Sequence, residues 1–347
     1  MAKKETGGKS RTGSGSSRMR DVAERAGVSP MTVSRALKGT GKVSAKTREH
    51  VLAVVHDMGY LPNNLASSLS SNRSTTIGLI VPSIDNSIYT QTIKGLSDVL
   101  RRSGFQLMIA ESGYDPLVEE QIILTFLAQR VSGLVLHNTE HTAHAIAQLR
   151  KSGVPVVENG NLPSNPIDMA VSYSNRDAAF AMTTHLGRLG YKQIAFVSLS
   201  SVNNERSRDR LLGYREALQA MGRSYDARLV VETGRGLGGG ADALSRILQT
   251  APETDALFCA GDVLAAGALF ECQRRSIAVP GRLAIASFDD VDLLKHVTPP
   301  ITTLRLPRYE IGERTAQMLL GRITGHADTL HGNVVDLRFE VIQRESA

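Results

Sequence analysis

The chain has 347 residues, of which 41% are hydrophobic, and it carries a formal net charge of +6. This length predicts a large core and more than one domain. The chain contains no apolar run of about 18 residues and no apolar signal-peptide centre near its start, so we expect a cytoplasmic protein with no membrane partner. Its two cysteines, Cys259 and Cys272, are too few for a disulfide framework or a metal cluster, and we expect both to be buried packing residues.

Positive charge is concentrated at the N-terminus. Glycine, serine and lysine dominate residues 1–17, which predicts a disordered basic tail. Residues 1–74 hold thirteen Lys or Arg against five Asp or Glu, whereas the remaining chain holds 27 against 29. All of the excess positive charge therefore lies in the first fifth of the chain. Such segregation is the electrostatic pattern expected of a unit that contacts phosphates.

Residues 18–61 are predicted to form a small helical head. Two short amphipathic helices meet at Gly27, and their apolar positions recur at helical spacing; these are Met19, Val22, Ala23 and Ala26, then Val33, Ala36 and Leu37. Ser29 is a good N-cap and Pro30 suits the first helical position of the second helix. That helix leaves polar and apolar side chains facing outward, namely Met31, Thr32, Ser34, Arg35 and Lys38. Two helices with a glycine between them also occur in domains that never touch DNA, but the charge favours a DNA-binding helix-turn-helix.

A third helix and a connecting segment follow the helix-turn-helix. Ser44 is a predicted N-cap, Val51 lies on the apolar face and Gly59 ends the helix. The segment 62–75 begins with proline and is rich in serine and asparagine, so it is too short and too polar to be helical by itself. These residues are compatible both with a hinge helix that forms conditionally and with a plain flexible linker.

From Thr76 onward, apolar strand-like runs alternate with helical patterns, which predicts parallel sheets covered by helices. Two similar sets of strands imply two α/β subdomains with a cleft between them. Strand signals at 302–306 and 333–342 suggest that the chain crosses back between them. We expect an N-subdomain of about 76–172 plus 304–332 and a C-subdomain of about 173–303 plus 333–347.

A glycine-rich run offers an enzymatic alternative. Gly234, Gly236 and Gly239 spell GxGxxG between a predicted strand and a predicted helix, the setting of a dinucleotide-binding turn. The run has more glycines than the motif needs, and Asp255 precedes the next strand instead of ending it. A loop at the mouth of the cleft is the favoured interpretation, with a nucleotide-dependent oxidoreductase as the alternative. The sequence otherwise predicts no catalytic residue, no cofactor and no metal.

Polar residues follow the strands, where open α/β sheets bind their ligands. Asp85 lies after the first strand, His137 closes a strand at the cleft edge, and Glu158 ends another. Arg210 lies near the start of a helix and Asp289 follows a strand. Carboxylates and an arginine that converge on one cleft suit a polyhydroxylated ligand, because hydroxyl groups both donate to acids and accept from guanidinium groups.

With these residues considered, the chain resembles the LacI/GalR family of bacterial transcription repressors over nearly its whole length. The most specific matches are DVAERAGVSPMTVSRAL, VSAKTREHV, GYLPNNLASSL and IGLIVP, with SFDD and PPITTLR near the C-terminus. MTVSRAL, VPVVE and GALFECQR look closest to the gluconate-operon repressors within that family. The implied fold is an all-α head on an α/β core of two doubly wound parallel-sheet subdomains, like a periplasmic binding protein.

The resemblance implies a nucleoid-associated homodimer that reads a pseudo-palindromic DNA operator. Its implied DNA-binding residues are Ser29, Met31, Thr32, Ser34, Arg35 and Leu69, with Leu69 as a hinge leucine wedged into the minor groove. This favours the hinge helix over the plain linker. Arg210 and Asp289 match effector-contacting positions, whereas Tyr173 and Glu158 align with cleft positions more loosely.

The expected function is a repressor of sugar or sugar-acid catabolism genes, controlled allosterically by a small-molecule effector. Gluconate or a phosphorylated relative is the favoured effector, because Arg210 with a nearby basic group would receive its carboxylate. Besides the oxidoreductase, two alternatives remain. A sugar-binding protein without a DNA role would share the core, and a nucleoid-structuring protein would share the basic head.

Overall fold

The computed structural model describes residues 19–39, 41–60, 74–325 and 332–347. The chain divides into two compact units, Met1–Arg73 and Ser74–Ala347. We call the described part of the first unit the head and that of the second the core. The predicted tail at 1–17, most of the predicted hinge segment and Leu69 lie outside the described residues. No helix in the described ranges is both long and apolar enough to cross a membrane.

The head contains the three predicted helices, α1 (Met19–Arg25), α2 (Pro30–Lys38) and α3 (Ala45–Asp57). Ser29 caps α2 by accepting a hydrogen bond from the Thr32 amide, and Ser44 caps α3 in the same way. Gly27 adopts a φ of 64°, a left-handed conformation that glycine reaches at little cost and that ends α1. The apolar faces meet in one small core, formed by Val22, Ala23, Ala26, Val33, Ala36, Val51 and Tyr60. The predicted helix-turn-helix is thereby confirmed.

The first sheet of the core is parallel and has six strands in the order β11-β5-β4-β3-β1-β2. Its strands are β1 (Thr76–Val81), β2 (Gln106–Glu111), β3 (Gly133–Leu136), β4 (Val156–Glu158), β5 (Met169–Ser172) and β11 (Val334–Asp336). The helices of this half are α4 (Tyr89–Arg102), α5 (Pro116–Ala128), α6 (Ala143–Ser152) and α12 (Arg308–Thr324). The inner strands β1, β3, β4 and β5 are buried apolar runs, as expected for strands that are covered on both faces.

The second sheet also has six strands, in the order β12-β10-β9-β8-β6-β7, and β12 alone runs antiparallel to its neighbour. Its strands are β6 (Ile194–Leu199), β7 (Val230–Thr233), β8 (Ala256–Cys259), β9 (Ala284–Phe288), β10 (Thr302–Arg305) and β12 (Glu340–Ile342). The helices of this half are α7 (Asn175–Arg188), α8 (Glu205–Ala220), α9 (Gly236–Thr250), α10 (Asp262–Arg274) and α11 (Asp292–His296). Cys259 and Cys272 are both buried in this half, as predicted.

The last crossovers differ from the predicted subdomain boundaries. Strand β10 pairs with β9 in the second sheet, β11 pairs with β5 in the first, and β12 returns to β10. The first half therefore includes residues up to 336, beyond the expected limit of 332, and begins its second segment after β10 instead of at 304. Both shifts reflect strand pairing between residues that are distant along the chain, which local patterns do not reveal.

Helix α12 belongs to the first half because it packs closely on α4. A Cβ atom added at Gly312 would lie 2.0 Å from the carbonyl oxygen of Thr92, and one at Gly95 would lie 2.1 Å from that of Tyr309. Only glycine permits backbones to approach so closely. Through this contact the chain returns from the second half of the core to the first. Arg308, the first residue of α12, therefore lies beside the carboxyl ends of the strands.

Candidate functional site

A cavity of about 340 Å³ lies between the two halves of the core, at the carboxyl ends of their strands. The first half contributes Ser83, Asp85, Asn86, Ile88, Tyr89, Tyr114, His137 and Arg308. The second half contributes Leu199, Asn204, Arg206, Ser207, Arg210, Arg235, Gly236, the run from Ala260 to Leu264, and Asp289. This is where open α/β sheets bind ligands, and the volume falls within the range of roughly 300 to 1,000 Å³ that is usual for small-molecule sites.

Arg308 is neutralised within the protein. Its Nε donates to Asp289 Oδ1 at 2.7 Å, and its Nη2 donates to the same oxygen and to the Tyr173 hydroxyl. All three residues are buried. The negative charge of Asp289 raises the pKa of Arg308 despite burial, which opposes the charged form. Asp289 therefore serves first as the counter-ion of Arg308, which leaves it less free to bind a ligand than the sequence suggests.

Arg210 is buried but has no acidic hydrogen-bond partner among the contacts of the described chain. Its Nε donates to Asn175 Oδ1 at 2.8 Å and its Nη1 donates to the Ala260 carbonyl at 2.8 Å. The guanidinium group lies 3.6 Å from the centroid of the Phe288 ring. Neutral acceptors and an aromatic face orient this cation without cancelling its charge, so Arg210 remains available to an anion.

Arg206 crosses from α8 to the first half of the core. One nitrogen, Nη1, donates to the His137 carbonyl at 3.3 Å, to Asn138 Oδ1 at 3.1 Å and to Glu205 Oε1 at 2.7 Å. The other, Nη2, is buried and has no hydrogen-bond partner among the described residues. A buried donor without a partner is costly. Arg206 lines the cavity, but this nitrogen itself has almost no accessible surface, so a ligand acceptor would satisfy it only after a small shift of the guanidinium group.

Arg235 reaches the cavity from the glycine-rich run. Its guanidinium group lies 4.6 Å from the centroid of the Tyr114 ring, and its Nη1 is 3.5 Å from Ser83 Oγ. The helix α9 starts at Gly236, which has a φ of 84°. Gly236, Gly238, Gly239 and Gly240 form the first turns of α9, which corrects the predicted loop. Only Gly234 and Arg235 of the run precede the helix, and Arg235 contacts residues of the first half.

Two titratable groups of the cavity have shifted pKa values. Burial lowers the pKa of His137 well below its ordinary value, and the nearby Arg206 and Arg308 add to this effect. If His137 donates through Nδ1 to Asn159 Oδ1, 3.0 Å away, the neutral ring keeps Nε2 as an acceptor. Burial and the charge of Asp289 raise the pKa of Asp262 to about 6. The cavity therefore offers both acceptors and donors.

Four of the six residues predicted to bind the effector line this cavity, namely Asp85, His137, Arg210 and Asp289. Glu158 and Tyr173 lie outside the lining, which differs from the prediction. Glu158 accepts a hydrogen bond from the Ile167 amide at 2.7 Å, and Tyr173 is buried behind Arg308. Both follow strands at the correct edge of the sheet, but their side chains are engaged by the protein.

Sequence reasoning missed three of the four arginines in the cavity. Arg206 lies four residues before Arg210 on α8, and this helical spacing was a usable signal for a shared face. Arg235 lies inside the glycine-rich run, and the motif that this run resembles assigns no role to an arginine side chain. Arg308 reaches the cavity only because α12 packs against the first half of the core, and no local pattern reports that contact.

The outward residues of α2 whose side chains the structure describes are exposed or half-buried. Met31 is 62% exposed, Arg35 is exposed, and Ser34 and Thr32 are half-buried. Ser29 and Thr32 already contact each other, with 2.9 Å between their hydroxyl oxygens. An exposed methionine beside an exposed arginine is suited to contact with a nucleobase methyl group and with base acceptors.

Two family models match the chain, one for bacterial regulatory proteins of the LacI family over residues 18–63 and one for a periplasmic binding protein-like domain over residues 183–347. The chain belongs to the LacI family. It is 33% identical to the HTH-type transcriptional regulator GntR of Escherichia coli K12 over 321 residues, or 92% of this chain and 96% of that protein.

Solved structures agree with this assignment. A LacI-family transcriptional regulator from Silicibacter pomeroyi matches with a TM-score of 0.88 and 31% identity, over 95% of this chain and 98% of that one. The lac repressor dimer bound to operator and the anti-inducer ONPF matches with a TM-score of 0.82 and 25% identity, over 95% and 98% of the two chains.

The protein is therefore a DNA-binding transcription repressor of a family whose members act as dimers on operator DNA and respond to small-molecule effectors. It is not an enzyme, so the oxidoreductase alternative is rejected. The glycine-rich run belongs to the part of the core that matches the periplasmic binding protein-like domain. The match of the head to the LacI family excludes a sugar-binding protein without a DNA role.

Proposed function

We propose that this repressor responds to a sugar acid of the gluconate class, which binds in the cavity of the core and changes the operator affinity of the head. The observation that carries the proposal is the buried Nη2 of Arg206, which has no protein partner in the described chain, in the same cavity as Arg210, which has only neutral hydrogen-bond partners. A carboxylate accepts from both guanidinium groups, and such charge-assisted hydrogen bonds are the strong ones.

The rest of the lining suits the hydroxyl groups of such a ligand. Asp85 and Asp262 supply acceptors, neutral His137 supplies a ring nitrogen, and Asn204 and Ser207 lie beside Arg206. Hydroxyl groups donate to the first set and accept from the second. The resemblance of MTVSRAL, VPVVE and GALFECQR to the gluconate-operon repressors supports the same sugar-acid class of ligand.

Calorimetric titration with gluconate, the neutral polyol glucitol and glucose tests the proposal. Gluconate should bind more tightly than glucitol, which has the same hydroxyl chain without the carboxylate. Arg206→Met should weaken gluconate binding about 10- to 100-fold, since a hydrogen bond to a charged group contributes about 1.5–3 kcal/mol. Arg208→Met is the matched control, because Arg208 lies on the same helix but contacts Glu140 and the Ser201 carbonyl outside the cavity.

Tight binding of glucose or glucitol with no response to gluconate would refute the sugar-acid proposal and leave a neutral sugar as the effector. An equal loss of affinity in both arginine variants would show that the loss does not come from the cavity. The same titrations should be followed by an operator-binding assay with each ligand, because an effector must change operator affinity as well as bind.

On the DNA side, we propose that Met31, Thr32 and Arg35 read base edges, and that Ser29 and Ser34 support binding near the phosphates. The exposure of Met31 and Arg35 on α2 supports this assignment. Leu69 is proposed on the family resemblance alone as the minor-groove wedge. Leu69→Ala should then reduce operator bending while the head stays folded, and unchanged bending would contradict that role.

The proposed mechanism is thermodynamic linkage. A ligand that binds one state of the core more tightly than another must shift the equilibrium between those states, and operator DNA biases the same equilibrium. We propose a homodimer acting on a pseudo-palindromic operator in the cytoplasm, as the operator-bound dimer of the related lac repressor supports. Analytical ultracentrifugation with and without operator would test the dimer.

A further inference from the structure

Behind Arg206, a chain of buried polar side chains leads away from the cavity into the first half of the core. Asn138 accepts from Arg206 through Oδ1 at 3.1 Å and donates through Nδ2 to Glu119 Oε1 at 2.9 Å. The other oxygen of Glu119 lies 2.7 Å from His141 Nδ1. His141 Nε2 is 3.5 Å from Glu158 Oε1. We call Asn138, Glu119, His141 and Glu158 the relay.

The relay is buried throughout. The side chains of His141 and Glu119 are each 1% exposed, and Asn138 is buried as well. Burial opposes the charged form of His141, but the hydrogen bond to Glu119 and the negative charges of Glu119 and Glu158 outweigh it and raise the pKa of His141 to about 9. His141 is therefore a cation near neutral pH, and its Nδ1 must donate to Glu119.

The orientation of the Asn138 amide follows from these contacts. A carboxylate only accepts, so Glu119 takes a hydrogen from His141 with one oxygen and a hydrogen from Asn138 Nδ2 with the other. The Asn138 oxygen must then face Arg206. With the opposite orientation, two amide hydrogens would face the Arg206 guanidinium group, and that cation would lose a buried acceptor.

We propose that Glu119, held by His141, is a positioning residue for the effector site: it fixes the Asn138 amide so that Arg206 is anchored through Nη1 and keeps Nη2 for the ligand. The inference rests on the proposed sugar-acid function, and it assigns part of the affinity for the carboxylate to residues that never touch the ligand. Contact with the ligand is made by Arg206 alone among these residues.

The substitution Glu119→Gln tests the orientation directly. Glutamine has one acceptor where glutamate has two, and the charged His141 requires it. The glutamine nitrogen then faces Asn138, whose amide must turn its oxygen toward glutamine and its nitrogen toward Arg206. At pH 6.5 we expect gluconate to bind about tenfold more weakly to Glu119→Gln, with glucitol affinity changed less than twofold. Asn138→Leu, which removes the acceptor without disturbing the charges of the relay, should show the same selective loss.

Glu120→Gln is the matched control. Glu120 is the next residue on α5, but it binds Thr142 and His144 outside the relay. Its substitution should leave gluconate affinity within twofold of the original protein. A crystal structure of Glu119→Gln should show the Arg206 guanidinium displaced from Asn138. Circular dichroism and thermal melting monitor folding. If Glu119→Gln does not fold, the gluconate affinity of Asn138→Leu tests the inference.

Several outcomes would overturn the inference. These are unchanged gluconate affinity in Glu119→Gln, a loss shared equally by gluconate and glucitol, a loss reproduced by Glu120→Gln, and an Arg206 that keeps its place in the Glu119→Gln crystal structure. Failure of the proposed function looks different, because the unaltered protein would then bind no sugar acid. The crystal structure still tests the positioning of Arg206 in that case.

Discussion

The buried pair of Asp289 and Arg308 permits a charge-only perturbation, Asp289→Asn. Asp289 has a φ of 76°, a left-handed conformation that asparagine also tolerates, so the substitution removes the charge and keeps the backbone. Arg308 would then retain the Tyr173 hydroxyl at 3.2 Å but would lose its anion. Breaking a buried ion pair on one side costs about 3–5 kcal/mol. We expect about 3 kcal/mol, the lower end, because Arg308 borders the cavity.

Thermal melting of the core measures this cost. A loss of about 3 kcal/mol corresponds to a fall in Tm of about 6 °C, at about 2 °C per kcal/mol for a domain of this size. Adding Arg308→Met to Asp289→Asn should recover part of the loss, because no unpaired cation stays buried. Asp292→Asn is the control, since Asp292 lies on the surface with its side chain 83% exposed.

An unchanged melting temperature in Asp289→Asn would refute the assignment of Asp289 as the counter-ion of Arg308. So would a double variant that melts no higher than the single one, because the penalty is attributed to the unpaired cation. A fall of similar size in Asp292→Asn would show that loss of any aspartate charge destabilises the core, and the argument from burial would fail.

Three further predictions concern the head, the backbone and pH. Arg35→Ala should weaken binding to operator more than binding to random DNA in gel-shift titrations, whereas equal losses would show that Arg35 contacts only phosphates. Gly160→Ala should destabilise the core by about 3 kcal/mol in urea unfolding, because its Cβ would lie 1.7 Å from the His137 carbonyl oxygen, whereas Gly238→Ala, with open space around its Cβ, should not. The pKa of His141 is raised from 6.5 to about 9, so its stabilisation of about 3 kcal/mol is complete below pH 6.5 and is lost as pH rises through 9. Between pH 7 and 9.5 the urea midpoint should fall in the unaltered protein and should fall less in His141→Gln. An equal fall in the two proteins would contradict this assignment.

Much of the architecture can be predicted from the sequence because its signals are local. The helices of the head follow from apolar spacing, the glycine at 27 and the caps at Ser29 and Ser44. The strands of the core are short apolar runs between helical patterns; the expected start at Thr76 and the signal at 302–306 agree with β1 (Thr76–Val81) and β10 (Thr302–Arg305). Pairing is not local, however. Strands β11 and β12 lie only a few residues apart in sequence but join different sheets, and β12 is antiparallel.

The difference between local signals and non-local contacts also separates the predicted from the unpredicted parts of the site. The rule that ligands bind at strand ends correctly selects Asp85, His137, Arg210 and Asp289 for the cavity lining. It also selects Glu158, because position after a strand does not report which protein group a side chain already binds. Glu158 accepts the Ile167 amide and lies beside His141 within the relay instead of in the cavity.

The charge that a ligand meets in the cavity depends on internal pairing as much as on composition. Four arginines line it, but Arg308 is paired with Asp289, and Nη1 of Arg206 is shared among three acceptors. In the described chain Arg235 contacts Ser83 and the Tyr114 ring and has no acidic partner, so its charge is uncancelled as well. On α8, the free capacity is one nitrogen of Arg206 and the unpaired charge of Arg210. These two groups lie on one face of α8, four residues apart. A carboxylate would pair with these charges where a hydroxyl group would not, and this difference is the reason for proposing a sugar acid rather than a neutral sugar of the same size.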